Sequence, residues 1–178
     1  MAGLIDWRAL ALGLSALLGA IPSASADDAQ IARGRYLVSI SGCSDCHTPG
    51  GMLGSPDMKR YLGGSDVGFS IPGAGVFVGP NLTSDKDTGL GNWTDAQIVT
   101  ALRKGKRPDG SDISPVMPWP GFANLSDEDA NAIVAFLKSL PAVSNKAPGP
   151  FKPGEKVTVF VSAVLPPDAY NDLPASLK

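Results

Sequence analysis

Apolar positions along the chain change character several times. Residues 9–21 are apolar or small without a break. Beyond them, apolar residues recur at helical spacing in three separate stretches. Over 28–41, Ile31, Gly34, Leu37, Val38 and Ser41 share one face. A glycine inside a helix costs stability relative to alanine, so Gly34 points to a close helix–helix crossing. Over 94–104, Ile98, Ala101 and Leu102 form an apolar side; Thr94 and Gln97 make a capping box, and Gly105 stands where a C′ residue belongs. Over 126–140, Ala130, Ile133, Val134, Leu137 and Leu140 line a stripe. Ser126 and Asp129 offer a second box there, Asp127 and Glu128 suit the positive end of the helix dipole, and Pro141 stops the run. Between these stretches, residues 48–92 are dominated by Gly, Pro, Asp and Ser and keep no period. A connection that long must wrap something. Residues 156–165 alternate as one short strand in an otherwise irregular, Pro-rich tail. The pattern predicts an all-α fold: three core helices, long Gly/Pro-rich loops and an irregular C-terminal tail.

The first 26 residues have the layout of a secretory signal peptide. A short polar start carries Arg8, the apolar run follows, and Ala24-Ser25-Ala26 ends it as a cleavage site, with the cut expected between Ala26 and Asp27. The apolar run is short for a membrane span; an uncleaved N-terminal anchor is the alternative. Export to the periplasm follows from this reading. About 150 residues then remain, enough for one domain with a core. That domain is expected over 27–141, with 142–178 as an extension packed on it. Fifteen Lys and Arg against 17 Asp and Glu leave a small negative balance, and no basic stripe is interleaved with aromatics, which excludes a nucleic-acid partner.

Candidate chemistry is concentrated in five residues. The chain has two cysteines and one histidine, all in Cys43-Ser44-Asp45-Cys46-His47. Two thiols three residues apart on a helical turn can add to the two vinyl groups of one haem, and the next residue places an imidazole under the iron. Three other readings compete. A disulfide between Cys43 and Cys46 would close a very small loop and gain little entropy. A thioredoxin-like pair needs a βαβ setting, which is not visible here. A zinc site would need a carboxylate as its fourth ligand. One covalently bound haem c, with His47 as an axial ligand, accounts for the cluster best.

A second axial ligand would be a thioether, since no other histidine exists. Met52, Met58 and Met117 are the candidates. Met117 is favoured because Pro115 and Pro118 stiffen its loop, and a stiff loop suits a metal whose geometry should not change between Fe(II) and Fe(III). Arg103, Lys104, Lys106 and Arg107 form the one basic cluster. It either complements a helix C-terminus or steers an acidic partner surface.

Taken in order, the N-terminal helix, C-x-x-C-H, Gly79-Pro80-Asn81-Leu82, the middle helix, Met117-Pro118 and the C-terminal helix make the chain resemble the class I cytochromes c. It is most similar to the cytochrome domains and subunits that serve bacterial periplasmic or membrane-bound dehydrogenases, which share stretches like Asn81–Asp85, Thr88–Thr94, Pro108-Asp109-Gly110 and Met117-Pro118-Trp119. The resemblance implies a cytochrome c fold with the first and last helices crossing at Gly34, opposite Phe136 or Leu137. It implies that the Pro80 carbonyl accepts the other ring N–H of His47 and that Leu82 packs on the haem. Asn81, Trp93 and Arg103 would be donors toward its propionates. A longer span between Cys46 and Pro80, by roughly twenty residues, departs from the small mitochondrial-type proteins. The implied function is one-electron transfer from a dehydrogenase to a cytochrome or oxidase of the respiratory chain, without bond chemistry on a substrate and with membrane contact only through partners. A haem enzyme or sensor with an open sixth position, such as a peroxidase or gas binder, is the alternative.

Overall fold

A computed structural model describes residues 26–177. The expected signal peptide, apart from Ala26, lies outside them. In chain order the elements are α1 (Ala26–Ile40), α2 (Cys43–His47), β1 (Val67–Ile71), β2 (Gly75–Val78), α3 (Asp95–Lys104), α4 (Trp119–Phe122), α5 (Asp127–Ser139), β3 (Phe160–Ala163) and α6 (Pro167–Asn171).

The helices form where periodicity and caps agree. α3 begins with the full reciprocal capping box of Thr94 and Gln97 and ends at Gly105, whose φ of 62° is the left-handed turn that glycine adopts without strain. α5 begins with half of its expected box. Ser126 Oγ accepts from Asp129 N–H at 3.0 Å, but the Asp129 carboxylate turns instead to Arg33 Nε at 2.9 Å, joining α5 to α1. That pairing holds the Asp129 carboxyl below the usual range, chiefly through the Arg33 hydrogen bond.

The core lies between α1, α3 and α5. Leu37 and Val38 meet Ile98 and the stripe Ala132, Ile133, Val134, Phe136 and Leu137, with Leu62 and Leu90 entering from the loops. Ser41, expected on the buried side of α1, is exposed. The α1–α5 crossing is set by Gly34: a Cβ there would stand 1.9 Å from the Ala132 carbonyl oxygen and 2.8 Å from Phe136 Cβ. The crossing therefore falls opposite Ala132 and Phe136 rather than Leu137.

The all-α expectation is corrected by a small sheet of order β2-β1-β3. β1 and β2 form an antiparallel hairpin with Phe69 opposite Phe77. Its turn is Ile71-Pro72-Gly73-Ala74, closed by Ala74 N–H to the Ile71 carbonyl at 3.0 Å, with Gly73 at φ 75°. Proline then glycine at the central positions is what a type II turn needs. β3 is the part of 156–165 that pairs, and it runs parallel to β1 with Val67 opposite Phe160. Phe151 exchanges two backbone hydrogen bonds with Val76, at 2.8 and 2.9 Å, so the tail also closes part of the β2 edge. Among the described residues no helix is long and apolar enough to cross a membrane.

Gly34→Ala is expected to force α1 and α5 apart, because backbone rather than a flexible side chain occupies the space. A loss of about 3 kcal/mol, at the upper end of overpacking effects, should appear as a lower urea midpoint with an unchanged slope.

Candidate haem-attachment site

α2 is only five residues long and follows a sharp change of direction at Gly42, whose φ is 66°. Two chain segments, 62–65 and 79–82, hold it and are tied to each other. His47 O accepts Gly64 N–H at 2.8 Å, and Gly79 O accepts Ser65 N–H at 2.9 Å. Gly79 lies so close to α2 that a Cβ would stand 1.7 Å from the Cys46 carbonyl oxygen. Fully buried Thr48 accepts Leu62 N–H on Oγ1 at 2.9 Å, and Leu62 O accepts Leu82 N–H at 2.8 Å. Leu62 takes the left-handed conformation, φ 57°, which is uncommon for a leucine and is held here by burial and by both backbone hydrogen bonds.

The His47 ring is buried with Nδ1 2.8 Å from the Pro80 carbonyl oxygen. A carbonyl can only accept, so Nδ1 carries the proton and Nε2 the lone pair. Burial lowers the His47 pKa, against a smaller upward effect of the Pro80 bond, so the ring is favoured as a neutral base. Cys43 and Cys46 are half-buried free thiols. Burial pushes the Cys43 thiol up to about 11 and also raises Cys46. Such thiols stay protonated at neutral pH, unlike the acidified thiols of an exchange pair. Among the described residues no three Cys, His, Asp or Glu side chains are placed to hold a metal ion, which leaves the zinc alternative without ligands.

The other expected pocket residues separate. Leu82 is partly buried against the core, as is Trp93, whose carbonyl accepts from Lys138 Nζ. Asn81 is a correction. Only 2% exposed, it uses Nδ2 on Thr88 Oγ1, Val143 O and Asn145 O, and Oδ1 on Thr83 N–H and Oγ1. Its amide is saturated within the protein, so it has no donor left for a propionate. Arg103 Nη1 pairs with Asp127. Lys106 pairs with Asp112, and Arg107 donates to Asp112 O, so most of the basic cluster is engaged within the chain. Met52 and Met58 are exposed, at 43% and 63%, whereas Met117 is half-buried. Met117 N–H donates to Ser114 O at 3.0 Å and Met117 O accepts Trp119 N–H at 2.7 Å. The Trp119 indole covers Gly105 so closely that a Cβ there would lie 2.5 Å from the ring, which pins the methionine loop to the end of α3. Thr48, Leu62, Val143 and Asn145 carry no signal in the sequence that marks them as parts of this site.

The sequence pattern of the cytochrome c family matches residues 31–141, more than half of the chain. The chain belongs to the cytochrome c family. Relatives include the cytochrome c subunit of a quinone alcohol dehydrogenase of Gluconobacter oxydans (strain 621H), 41% identical over 147 residues, covering 80% of this chain and 29% of the relative. The fructose dehydrogenase cytochrome subunit of Gluconobacter japonicus is 36% identical over 132 residues, covering 72% and 26%. A diheme cytochrome of Cereibacter sphaeroides is 32% identical over 112 residues, covering 63% and 36%. The chain thus spans between about a quarter and somewhat over a third of these relatives. Membership in the cytochrome c family implies a covalently bound haem c, and the donor set fits one. Two protonated thiols on one helical turn precede an imidazole with a bare Nε2, and these are the groups that thioether formation and axial ligation need.

Thr48→Val keeps the side-chain volume but leaves the buried Leu62 N–H without an acceptor. A loss of about 1–3 kcal/mol is expected in denaturant unfolding, and Thr48→Ser should recover most of it.

Proposed function

We propose that this chain is a periplasmic mono-haem c-type cytochrome that accepts single electrons from a dehydrogenase and passes them to the respiratory chain. Cys43 and Cys46 would form the two thioether bonds, His47 Nε2 would be one axial ligand, and Met117 the other. The signal-peptide layout of residues 1–26 supports the periplasmic placement, and the lone C-x-x-C-H supports a single haem. Partnership with a dehydrogenase is supported by what the relatives are named for.

The observation that carries this reading is the buried His47, with Nδ1–H held by the Pro80 carbonyl and Cys43 and Cys46 on the turn before it. When bound, haem iron supplies reversible one-electron chemistry between Fe(III) and Fe(II). The chain's own residues keep that exchange low in reorganisation. His47 is oriented before any ligand arrives, Met117 sits in a loop pinned by Trp119, and the core around Leu62, Leu82 and Ile98 excludes water. A histidine and a thioether together favour Fe(II) and raise the potential, and apolar burial acts the same way by disfavouring the added charge of Fe(III).

The test is the exported protein itself. One covalent haem per chain and low-spin spectra in both redox states are expected; a colourless protein sinks the reading, and a high-spin ferrous form that takes up carbon monoxide rapidly favours the enzyme or sensor alternative. Met117→Ala should lower the midpoint potential by roughly 0.2 V, well inside the span that axial ligands command, and open the iron to added ligands. An unchanged spectrum would assign the ligand to Met58 or Met52. Cys46→Ser should leave at most one thioether, seen as a shifted haem band in a pyridine assay.

A further inference from the structure

The carbonyl that orients His47 belongs to a loop, and the loop is tied to a segment sixty residues away in sequence. Residues 140–145 leave α5 and run back along 81–88. Leu140 O accepts Ser84 Oγ–H at 2.6 Å. Val143 N–H donates to Thr83 Oγ1 at 3.1 Å, and Val143 O accepts Asn81 Nδ2–H at 2.6 Å. Asn145 N–H donates to Thr88 Oγ1 at 3.1 Å, its Nδ2–H donates to Gly63 O at 2.7 Å, and its carbonyl accepts from Asn81 Nδ2 at 3.3 Å. Asn81 and Gly63 also face each other as an isolated antiparallel bridge.

These bonds converge on the residue after Pro80. The peptide plane that carries the Pro80 carbonyl is shared with the Asn81 N–H, so clamping Asn81 clamps that carbonyl's direction. On its other side the plane is limited by Gly79 lying against Cys46 O. Thr83 and Thr88 are bridging hydroxyls: each takes an N–H from the segment and each bonds the Asn81 amide. A fold that needed only a firm C-terminus could have tied it anywhere on the surface. This one is tied to the carbonyl's immediate neighbour through a buried side chain.

We propose that residues 140–145 form a positioning strap for the axial histidine, with Asn81 and Asn145 as positioning residues. By fixing Asn81 the strap fixes the Pro80 carbonyl, and so the strength of the hydrogen bond that His47 Nδ1–H donates. A stronger bond at Nδ1 makes Nε2 a better electron donor to a bound metal. The strap would thereby bias the bound iron toward Fe(III), and loosening it would favour Fe(II). This inference rests on the proposal that His47 ligates haem.

The experiment uses the mature holoprotein and reads midpoint potential, unfolding midpoint and exchange of the His47 Nδ1 proton by NMR. In Asn145→Ala the ratio of Fe(II) to Fe(III) at a fixed potential is expected to rise about tenfold, an upward shift of ~59 mV for a one-electron couple, with faster Nδ1 proton exchange. Should Asn145→Ala fail to mature, Thr88→Val decides the matter, since it removes the acceptor used by both Asn81 and Asn145; Thr88→Ser should restore the wild-type potential. Ser84→Ala removes the one strap bond in which neither residue bonds Asn81, and should lower the unfolding midpoint while leaving the potential in place. If Asn145→Ala and Thr88→Val lower stability without moving the potential, the segment is only structural and the proposal is overturned. It is equally overturned if Ser84→Ala raises the potential as much as they do. A wild-type protein without covalent haem fails the functional reading itself, an outcome separate from a haem-bearing protein whose potential ignores the strap.

Discussion

A helix of five residues cannot hold itself together in water, because nucleating a helical turn costs more than its few hydrogen bonds return. Yet α2 carries every residue of the candidate attachment site. Its geometry is therefore imposed from outside, and the constraint that imposes it is the 2.8 Å hydrogen bond between buried His47 and the Pro80 carbonyl. For that bond to form, the loop must come within backbone contact of α2, which only a glycine at 79 permits. The loop must also be held from behind, where Leu62, Thr48 and Asn81 replace the regular ladder that the irregular backbone lacks. Much of what looks like connection in the sequence is scaffolding for one imidazole.

Stability and positioning are divided between different parts of the molecule. The α1–α5 crossing buries Leu37, Val38, Ile133, Val134, Phe136 and Leu137 and rests on apolar contact. The loops around His47 send Leu62 and Leu90 into that core but are held by hydrogen bonds at Thr48, Thr83, Ser65 and Asn81, polar side chains that are buried beside the histidine. Apolar packing is strong but non-directional, whereas hydrogen bonds fix angles. A site that must aim a nitrogen therefore gains more from the second kind. Buried polar groups are costly unless paired, and among the described residues none of the buried side-chain nitrogens or oxygens lacks a partner.

What could be read from the sequence follows the range of the interactions involved. The three core helices were legible because amphipathic spacing and caps are local, as with Thr94, Gln97 and Gly105 around α3. The cysteine–histidine cluster was legible because its spacing is itself the chemistry. The β1–β2 hairpin left a local mark in Pro72-Gly73, overlooked because its strands are short and lie in a glycine-rich stretch without a sustained period. The parallel pairing of β1 with β3 left none, since it joins Val67 to Phe160 across most of the chain. Asn81 shows the limit most clearly. The family resemblance implied a donor toward the cofactor, but which acceptor an amide meets depends on Val143 and Asn145, and nothing near Asn81 in sequence names them. Asp129 was misassigned for the same reason: its partner, Arg33, is on another helix.

The electrostatics of His47 follow from burial and hydrogen bonding acting on different questions. Burial disfavours the charged ring and lowers its pKa, while the Pro80 carbonyl stabilises the N–H and works against that shift, with burial the larger effect. Over how many protons the ring holds, the two oppose each other. Over where the single remaining proton sits they agree, because a carbonyl tolerates only the donor at Nδ1. Burial alone would leave a neutral ring free to carry its proton on either nitrogen, and the carbonyl alone would leave a ring that also protonates at Nε2 as pH falls toward its ordinary pKa. Together they leave Nε2 bare over a wider pH range than an exposed histidine allows, in a chain where no second histidine could take its place.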